Sequence, residues 1–538
     1  MKSIAFLSTY AYDRHKYKLS HFTRNIENCI HLLGGIHVDI ERDGSISPLL
    51  YNDDIAPVSA DRRTWNAWTL FGVWASIAAP SSMLVGSVGI TFGFNWWEVL
   101  LIALVGDLIT LVALVIQSHG AIVYGLAEPQ LDRTRFGIWG TFIPSWARFF
   151  VGLGFWGVQT FLITEALVSM WIIGEGNRPA LLALKTLSPT TLVAHYPTLF
   201  WVMFLAATLA QYVILLSAKP ALSAPSLKWL SKWMPIVSTI ILTFVFVYFA
   251  AHYPSELGKA LVQPAAPLSV AMIPVVLVFF SANIHATQII SWPDMMRFGK
   301  SVRSMLWGQL GLPVIYSVTI LYGALMTGIV HALTGQAVYD PILLVAGYLH
   351  PAGLTIIILF FYAVLLMNTN IFSNSVPPVY DLINTWPHKL TWGRGVTIVT
   401  ILGIAIGAWS LYAQGAYVYF NTWILFVASL LGPFAGVIAT DYVLIRRGRL
   451  NVPDIYTVHG RYYFFHGFNL RAMAAVVIAF VVLLVGQIGL EFPGWIYLSK
   501  ASWLTGFVIS GLVYWLIMPK SPSFPVEEAV SNEKGVSR

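Results

Sequence analysis

The densest chemistry in the chain is Asn368-Thr369-Asn370-Ile371-Phe372-Ser373-Asn374-Ser375, six polar residues in eight inside an otherwise apolar stretch. Amides and hydroxyls both donate and accept hydrogen bonds, and glue between membrane helices needs only one or two such residues. Six point instead to a ligand. A second set is Phe155-Trp156-Gly157-Val158-Gln159, in which Phe155 and Gln159 stand i, i+4 and so place a ring and an amide on one helix face. A planar solute with adjacent donors and acceptors needs an aromatic surface to stack on and amides to read its edge. Phe155, Trp156, Gln159 and Asn374 supply both.

Two apolar stretches are interrupted. One holds Ile77-Ala78-Ala79-Pro80-Ser81-Ser82, where the proline removes a backbone donor among small residues. The other holds Ser281-Ala282-Asn283-Ile284-His285-Ala286-Thr287-Gln288 between Pro274 and Pro293. Ordinary kinks would explain either alone. Two interruptions at equivalent places in two five-helix halves point to a secondary transporter of inverted repeats, with substrate and ion at the midplane beside the broken helices. Asp107 and Glu165 are ionisable groups inside apolar runs, which suggests function by default; a neutral hydrogen-bonded carboxyl or a water-filled vestibule is the competing explanation. Glu165 is kept as a coupling candidate.

The elements that must position these residues follow from composition. Of 538 residues, 57% are hydrophobic and 10% charged, against about 25% charged in a soluble chain. Apolar runs recur at roughly 67–91, 96–118, 146–174, 197–217, 229–251, 268–291, 308–333, 353–376, 395–414, 419–445, 471–490 and 497–518. Each is long enough to cross a bilayer, which predicts an all-α polytopic membrane protein of twelve transmembrane helices and excludes a soluble enzyme or a peripheral protein. Connections after even-numbered runs hold sixteen Lys and Arg and those after odd-numbered runs hold four, which predicts both termini in the cytoplasm. The net charge of +7 is then a property of cytoplasmic loops rather than a sign of nucleic-acid binding. The single cysteine, Cys29, forbids an intrachain disulfide framework. The start shows no apolar core of signal-peptide length before Asp13, Arg14 and Lys16, and no signal peptide is predicted.

The expected organisation is a cytoplasmic N-terminal segment at 1–66, a ten-helix core at 67–445, helices 11 and 12 with their preceding cytoplasmic loop at 446–518, and a disordered cytoplasmic tail at 519–538. The chain has no His-Glu-x-x-His pair, and Gly299-Lys300-Ser301 fails as a phosphate loop because Asp294 stands where a glycine is required. No arginine ladder or carbonyl-filter signature suggests a voltage sensor or selective channel. No enzyme and no cofactor is expected, with a sodium ion as the one candidate exception.

Taken jointly, Tyr51 to Pro57, Arg63-Thr64-Trp65, Asn95-Trp96-Trp97, Ser118-His119, Gly154 to Thr160, Pro293-Asp294 with Arg297, and Gly308-Gln309 with Pro313 form a spaced series. It continues through Thr369-Asn370 with Asn374, Leu431-Gly432-Pro433, Asp441-Tyr442, Arg446 to Arg449 and Tyr456. The series resembles the nucleobase:cation symporter-1 family, whose members transport purines, pyrimidines, hydantoins, allantoin and related compounds. The resemblance spans about residues 35 to 518. It implies a five-plus-five inverted repeat plus two helices, with broken helices 1 and 6 and a bundle of helices 1, 2, 6 and 7 moving against a scaffold containing 3, 4, 8 and 9. In the family's hydantoin transporters a flat ring stacks between tryptophans of helices 3 and 6, while a glutamine of helix 3 and an asparagine of helix 8 bind its amide edge. Carried over, the amides are Gln159 and Asn374. The helix-3 tryptophan position holds Phe155, with Trp156 beside it, and the helix-6 position holds His285, so hydantoin itself is not carried over. The family's sodium site maps to Trp74 and Ile77 in helix 1, to within one residue, and to Leu365, Asn368 and Thr369 in helix 8. Asn368 stands where a serine is expected, and His285 and Glu165 are the titratable groups nearest the site if the coupled ion is a proton.

The expectation is a cation-coupled importer of a nucleobase or related small nitrogen heterocycle, multi-pass in the plasma (inner) membrane. The alternatives are the same fold carrying a vitamin-like ring of thiamine or pyridoxine type, and a channel or receptor.

Overall fold

The computed structural model describes residues 46–77, 80–183, 189–218, 225–408, 414–489 and 491–519. The first 45 residues with Cys29, Ala78 and Ala79 in the first interruption, and the expected tail from residue 520 lie outside the described residues. Among the described residues the chain is helical throughout, with no strand beyond two isolated bridges, Trp65 with Gly299 and Phe465 with Phe468.

In chain order the principal helices are α1 (Ala67–Ile77), α2 (Pro80–Thr91), α3 (Trp96–Tyr124), α4 (Glu128–Phe136), α5 (Phe142–Gly174), α6 (Pro197–Leu216) and α7 (Pro225–His252). They continue as α8 (Ile273–Phe279), α9 (Ala286–Ser291), α10 (Val302–Thr334), α11 (Pro341–Tyr348), α12 (Ala352–Thr385), α13 (Trp392–Ile406), α14 (Tyr419–Ile445), α15 (Leu470–Gln487) and α16 (Ser502–Ile517). Eight of them are long and apolar enough to cross a membrane, and α1 with α2, which meet at 54°, make a ninth if read as one bent span. The sixth, ninth and twelfth apolar runs fall on shorter apolar helices.

Local chemistry sets the boundaries. Asn95 and Glu98 form a reciprocal capping box that starts α3, and Gly125 ends it with a left-handed φ of 71° that a side chain would strain. Asp340 starts α11 by accepting from the backbone N–H groups of Ile342 and Leu343. The interruption expected in the sixth run is present: α8 ends at Phe279 and α9 begins at Ala286, with Ser281 to His285 between them. The polar stretch of the eighth run contains a π-helical turn, Ile371–Ser375, a widening that recurs at functional sites.

Glycines let two helix backbones approach each other closely. A Cβ on Gly86 would lie 1.8 Å from the Ile320 carbonyl oxygen, and one on Gly323 would lie 2.0 Å from that of Met83. The α2 and α10 backbones therefore touch directly. α12 packs along α5, and α16 along α14.

At one end of the bundle the segment before α1 is strapped across several connections. Asn52 donates to the carbonyls of Pro387 and Leu390, and Asp54 accepts from the Trp392 backbone. Arg63 donates to the carbonyls of Ile122 and Val123, and Arg297 to those of Ile55 and Ala56. Four of the cations counted to the cytoplasmic connections are interior here: Arg133, Arg135, Arg148 and Arg297 are each 1% exposed. Arg135 pairs with Glu128 at 2.5 Å, Arg148 pairs with Asp381, and Arg148 also reaches the Ile290 carbonyl. A buried guanidinium needs such partners to offset its desolvation. Burial pushes the Asp294 carboxyl up to about 6, with Arg148 pulling the other way.

Candidate functional site

The site is built where the interrupted sixth run meets α5 and the π turn of α12, since α9 packs against both. Gln159 projects from α5 with its Oε1 buried and without a partner. Asn374 lies in the π turn and donates to Asn370 Oδ1 at 3.0 Å. Asn370 in turn donates to Gln211 Oε1 at 2.7 Å, to Thr160 Oγ1 and to the Trp156 carbonyl. An amide relay thus ties α12 to α5 and α6 and holds Asn374 in place. Nearby buried polar atoms also lack partners: Thr287 Oγ1, Gln288 Oε1, Ser291 Oγ and Ser373 Oγ. Native interiors rarely tolerate such groups, so those on α9 and α12 are places that a polar ligand or water can complete, as are the orphaned atoms of the arginine network.

The ring-bearing residues separate. Phe155 sits one turn from Gln159 and meets Trp423 of α14 edge-on, with ring centroids 5.6 Å apart. Trp156 does not join them: its ring is 1% exposed and lies against Gly403 of α13. The reason is helical geometry, because adjacent residues point about 100° apart, so Phe155 and Trp156 cannot share the Gln159 face. Gly157 and Gly407 touch backbone to backbone beside it, which leaves no room for the indole to turn.

His285, at the start of α9, faces Trp74 of α1 and Tyr316 of α10, with centroids 5.9 and 4.8 Å away. Its Nε2 lies 3.6 Å from Asp107 Oδ1, and its Nδ1 has no partner. Asp107 itself accepts from Ser281 Oγ at 2.8 Å and Ser317 Oγ at 3.2 Å. The hydroxyl partners and His285 account for a carboxyl in the middle of an apolar helix.

The candidate cation donors converge in part. Thr369 Oγ1 lies 3.2 Å from the Ser76 carbonyl oxygen, 3.5 Å from that of Ile77 and 3.1 Å from that of Leu365. Asn368 lies beside them, its Nδ2 3.4 Å from the Ser76 carbonyl and its buried Oδ1 without a partner. The Trp74 indole stacks on Trp292 at 4.0 Å and donates its N–H to Gln309, while the main-chain oxygen of helix 1 nearest Thr369 Oγ1 is that of Ser76. Main-chain and side-chain oxygens around an unspent amide oxygen fit a hard cation.

Sequence reasoning missed Trp423, Asn370 in its supporting role, and Gln211. The signals were present: Asn370 is one turn before Asn374, and Gln211 is a lone amide in an apolar run.

Residues 57–513 match the family described as permease for cytosine/purines, uracil, thiamine and allantoin. The chain is 29% identical to the purine-uracil permease NCS1 of Arabidopsis thaliana, over 89% of this chain and 79% of that one. It is 28% identical to the allantoin permease of Bacillus subtilis, over 88% and 94%. In fold it is similar to Mhp1, a nucleobase-cation-symport-1 family transporter solved in a closed conformation with bromovinylhydantoin bound, with a TM-score of 0.66, 20% identity and coverage of 87% and 95%.

Proposed function

Because the chain belongs to the family of permeases for cytosine, purines, uracil, thiamine and allantoin, we propose that it imports a nucleobase or closely related small nitrogen heterocycle by cation-coupled alternating access. The reading includes twelve crossings of the plasma (inner) membrane with both termini in the cytoplasm, the five-plus-five repeat, and no covalent chemistry. The observation that carries it is the set of unpartnered buried polar atoms of α5, α9 and α12 around Gln159 and Asn374.

In this reading the ring lies against Phe155, with Trp423 at its edge, while Gln159 and Asn374 hydrogen-bond its amide edge and His285 bounds the other side. The relay through Asn370 and Gln211 keeps Asn374 from rotating away when the site is empty of solute. The oxygens of Ser76, Ile77, Leu365, Asn368 and Thr369 would hold a sodium ion, which supplies a positive charge between α1 and α12. Since α1 belongs to the bundle and α12 to the scaffold, anything bound between them favours one arrangement of the two bodies, and coupling follows from that differential affinity. A second reading, a cationic vitamin-like ring of thiamine type, draws on Asp107 behind His285.

Thermal stability of the detergent-purified protein tests this, because a ligand that binds the folded state raises its stability. Nucleobases, hydantoins, allantoin and thiamine are compared with and without sodium. A nucleobase-like ring is expected to raise the transition, more so with sodium, and Thr369→Ala is expected to remove the sodium increment. A shift with thiamine alone would favour the second reading, and an unchanged sodium increment in Thr369→Ala would remove that residue from the cation site.

A further inference from the structure

Asp107 of α3 and His285 at the head of α9 meet within the helix bundle, each side chain 1% exposed, with Nε2 of the imidazole 3.6 Å from Oδ1 of the carboxyl. The carboxyl is held from two further sides, by Ser281 Oγ in the break between α8 and α9 and by Ser317 Oγ of α10. Ser281 is fixed in turn: its hydroxyl shares a 2.9 Å hydrogen bond with Thr110 Oγ1 of α3, and its carbonyl accepts from the His285 backbone N–H at 2.9 Å. The turn that interrupts the sixth run therefore carries both His285 and a donor to its acid. The other imidazole nitrogen, Nδ1, is buried and makes no hydrogen bond.

Among the described residues His285 is the basic group within reach of Asp107. The other charged groups on elements packed against the break are engaged elsewhere. Arg148 of α5 is taken up by Asp381 and the Ile290 carbonyl, and Asp294, after α9, accepts from the Glu128 backbone N–H. On α14, Asp441 pairs with Arg446, and Tyr442 bonds to His119 of α3. Tyr316 of α10 meets the imidazole edge-on at 4.8 Å, Tyr419 begins α14, and α1 brings the Trp74 ring and no charge. Glu165, the other titratable group expected near the site, lies further along α5 than Gln159, with Asp340 as its acidic neighbour.

A buried carboxyl and imidazole carry no net charge only when they share one proton, as imidazolium with carboxylate or as imidazole with carboxylic acid, and the two groups titrate as a unit. Without that proton a negative charge stays in the interior, which is costly unless water solvates it. We propose that Asp107 and His285 together bind a co-transported proton, and that the heterocycle drives its uptake by expelling the water that otherwise solvates the unprotonated pair. This rests on the transporter reading, with His285 beside the ring, and names a coupling ion for it, whatever the oxygens around Thr369 hold. In the open, empty site water reaches His285 Nδ1 and the pair releases its proton. A ring seated against His285 removes that water, so the closed form holds solute and proton together. The effect is reciprocal: the proton tightens ring binding by the factor by which the ring tightens proton binding.

Calorimetric titration of the full-length protein in detergent with uracil and with allantoin tests this. Repeating it in buffers of different ionisation enthalpy, below the pH at which the rings themselves ionise, counts the protons taken up on binding. One proton is expected to enter with the ring once the pH is high enough for the empty pair to have lost it, and affinity there to fall by about tenfold per pH unit. Asp107→Asn gives His285 an uncharged neighbour and keeps an acceptor for Ser281, so it is expected to bind the ring with no proton uptake and a flat pH profile. Binding without proton uptake in the wild type, or uptake that persists in Asp107→Asn, overturns the proposal. If Asp107→Asn does not fold, Ser317→Ala decides: loss of a donor to the carboxylate is expected to move the fall in affinity to higher pH, and an unmoved profile overturns the proposal. If neither ring binds, the heterocycle reading fails, and the acid-minus-alkaline infrared difference spectrum of the free protein still decides the proton site. A carboxyl or imidazole band present in the wild type and missing from Asp107→Asn supports it, and identical spectra overturn it.

Discussion

Asn374 and Asn370 are one helical turn apart and do different work. Among the described residues the Asn374 side chain makes one hydrogen bond, to Asn370, whereas Asn370 bonds to Gln211, Thr160 and the Trp156 carbonyl. Asn374→Ala or Gln159→Ala is therefore expected to weaken ligand binding by about 1–3 kcal/mol with little change in melting temperature, the cost of an unmade hydrogen bond. Asn370→Ala is expected to lower both, because it also strands Gln211; calorimetric titration beside a melting curve separates the two cases. A second residue-scale expectation concerns Asp294, whose carboxyl is raised from 3.8 to about 6 chiefly by burial. The folded state then binds more protons than the unfolded one between those values. By linkage this contribution to stability falls as pH rises through that window and is recovered as pH drops below about 6. Subtracting the stability profile of Asp294→Asn from that of the wild type should reveal it, and parallel profiles would contradict it. At this scale the amides were legible from sequence because six polar residues cannot hide in an apolar run. The direction of Trp156 was not, since only the facing Gly403 shows where its ring goes.

Among the elements, breaks and close approaches position the site. The interruption at Ser281 to His285 and the π turn at Ile371–Ser375 bring backbone irregularity to the place where side chains are unpartnered. The sequence foretold the first through its proline-flanked polar cluster, and the second only as a polar stretch, because a helix widened by one residue leaves no periodicity of its own. The contact of α2 with α10 depends on glycine. Gly323→Leu is expected to abolish recovery of folded protein, since its Cβ alone would lie 2.0 Å from the Met83 carbonyl oxygen. Gly353→Ala, with open space around it, serves as the control, and size-exclusion profiles in detergent read the difference. Normal recovery of Gly323→Leu would mean that the two helices separate without cost.

For the molecule as a whole, hydropathy alternation located the apolar runs, and every run falls on a helix, a bent pair or a short apolar helix. What alternation could not show is which loop cations are interior. Arg133, Arg135, Arg148 and Arg297 read only as loop cations, yet the partners that bury them include Asn384, Asp381 and Tyr380, many tens of residues away in sequence. Pairings of that range have no local signature. They make one end of the molecule a dense polar plug in which Arg148 of α5 reaches the Ile290 carbonyl of α9, so α5 and α9 are joined there while Thr369 joins α12 to α1 nearer the site. The measurement that bears most directly on the central claim is uptake of labelled uracil, allantoin and a purine by the purified protein in liposomes, with sodium and proton gradients imposed and then dissipated. Saturable accumulation of at least one ring, lost when the cation gradient is collapsed, is the predicted result. Flux that persists without any gradient, or no transport of any of these rings, would contradict it.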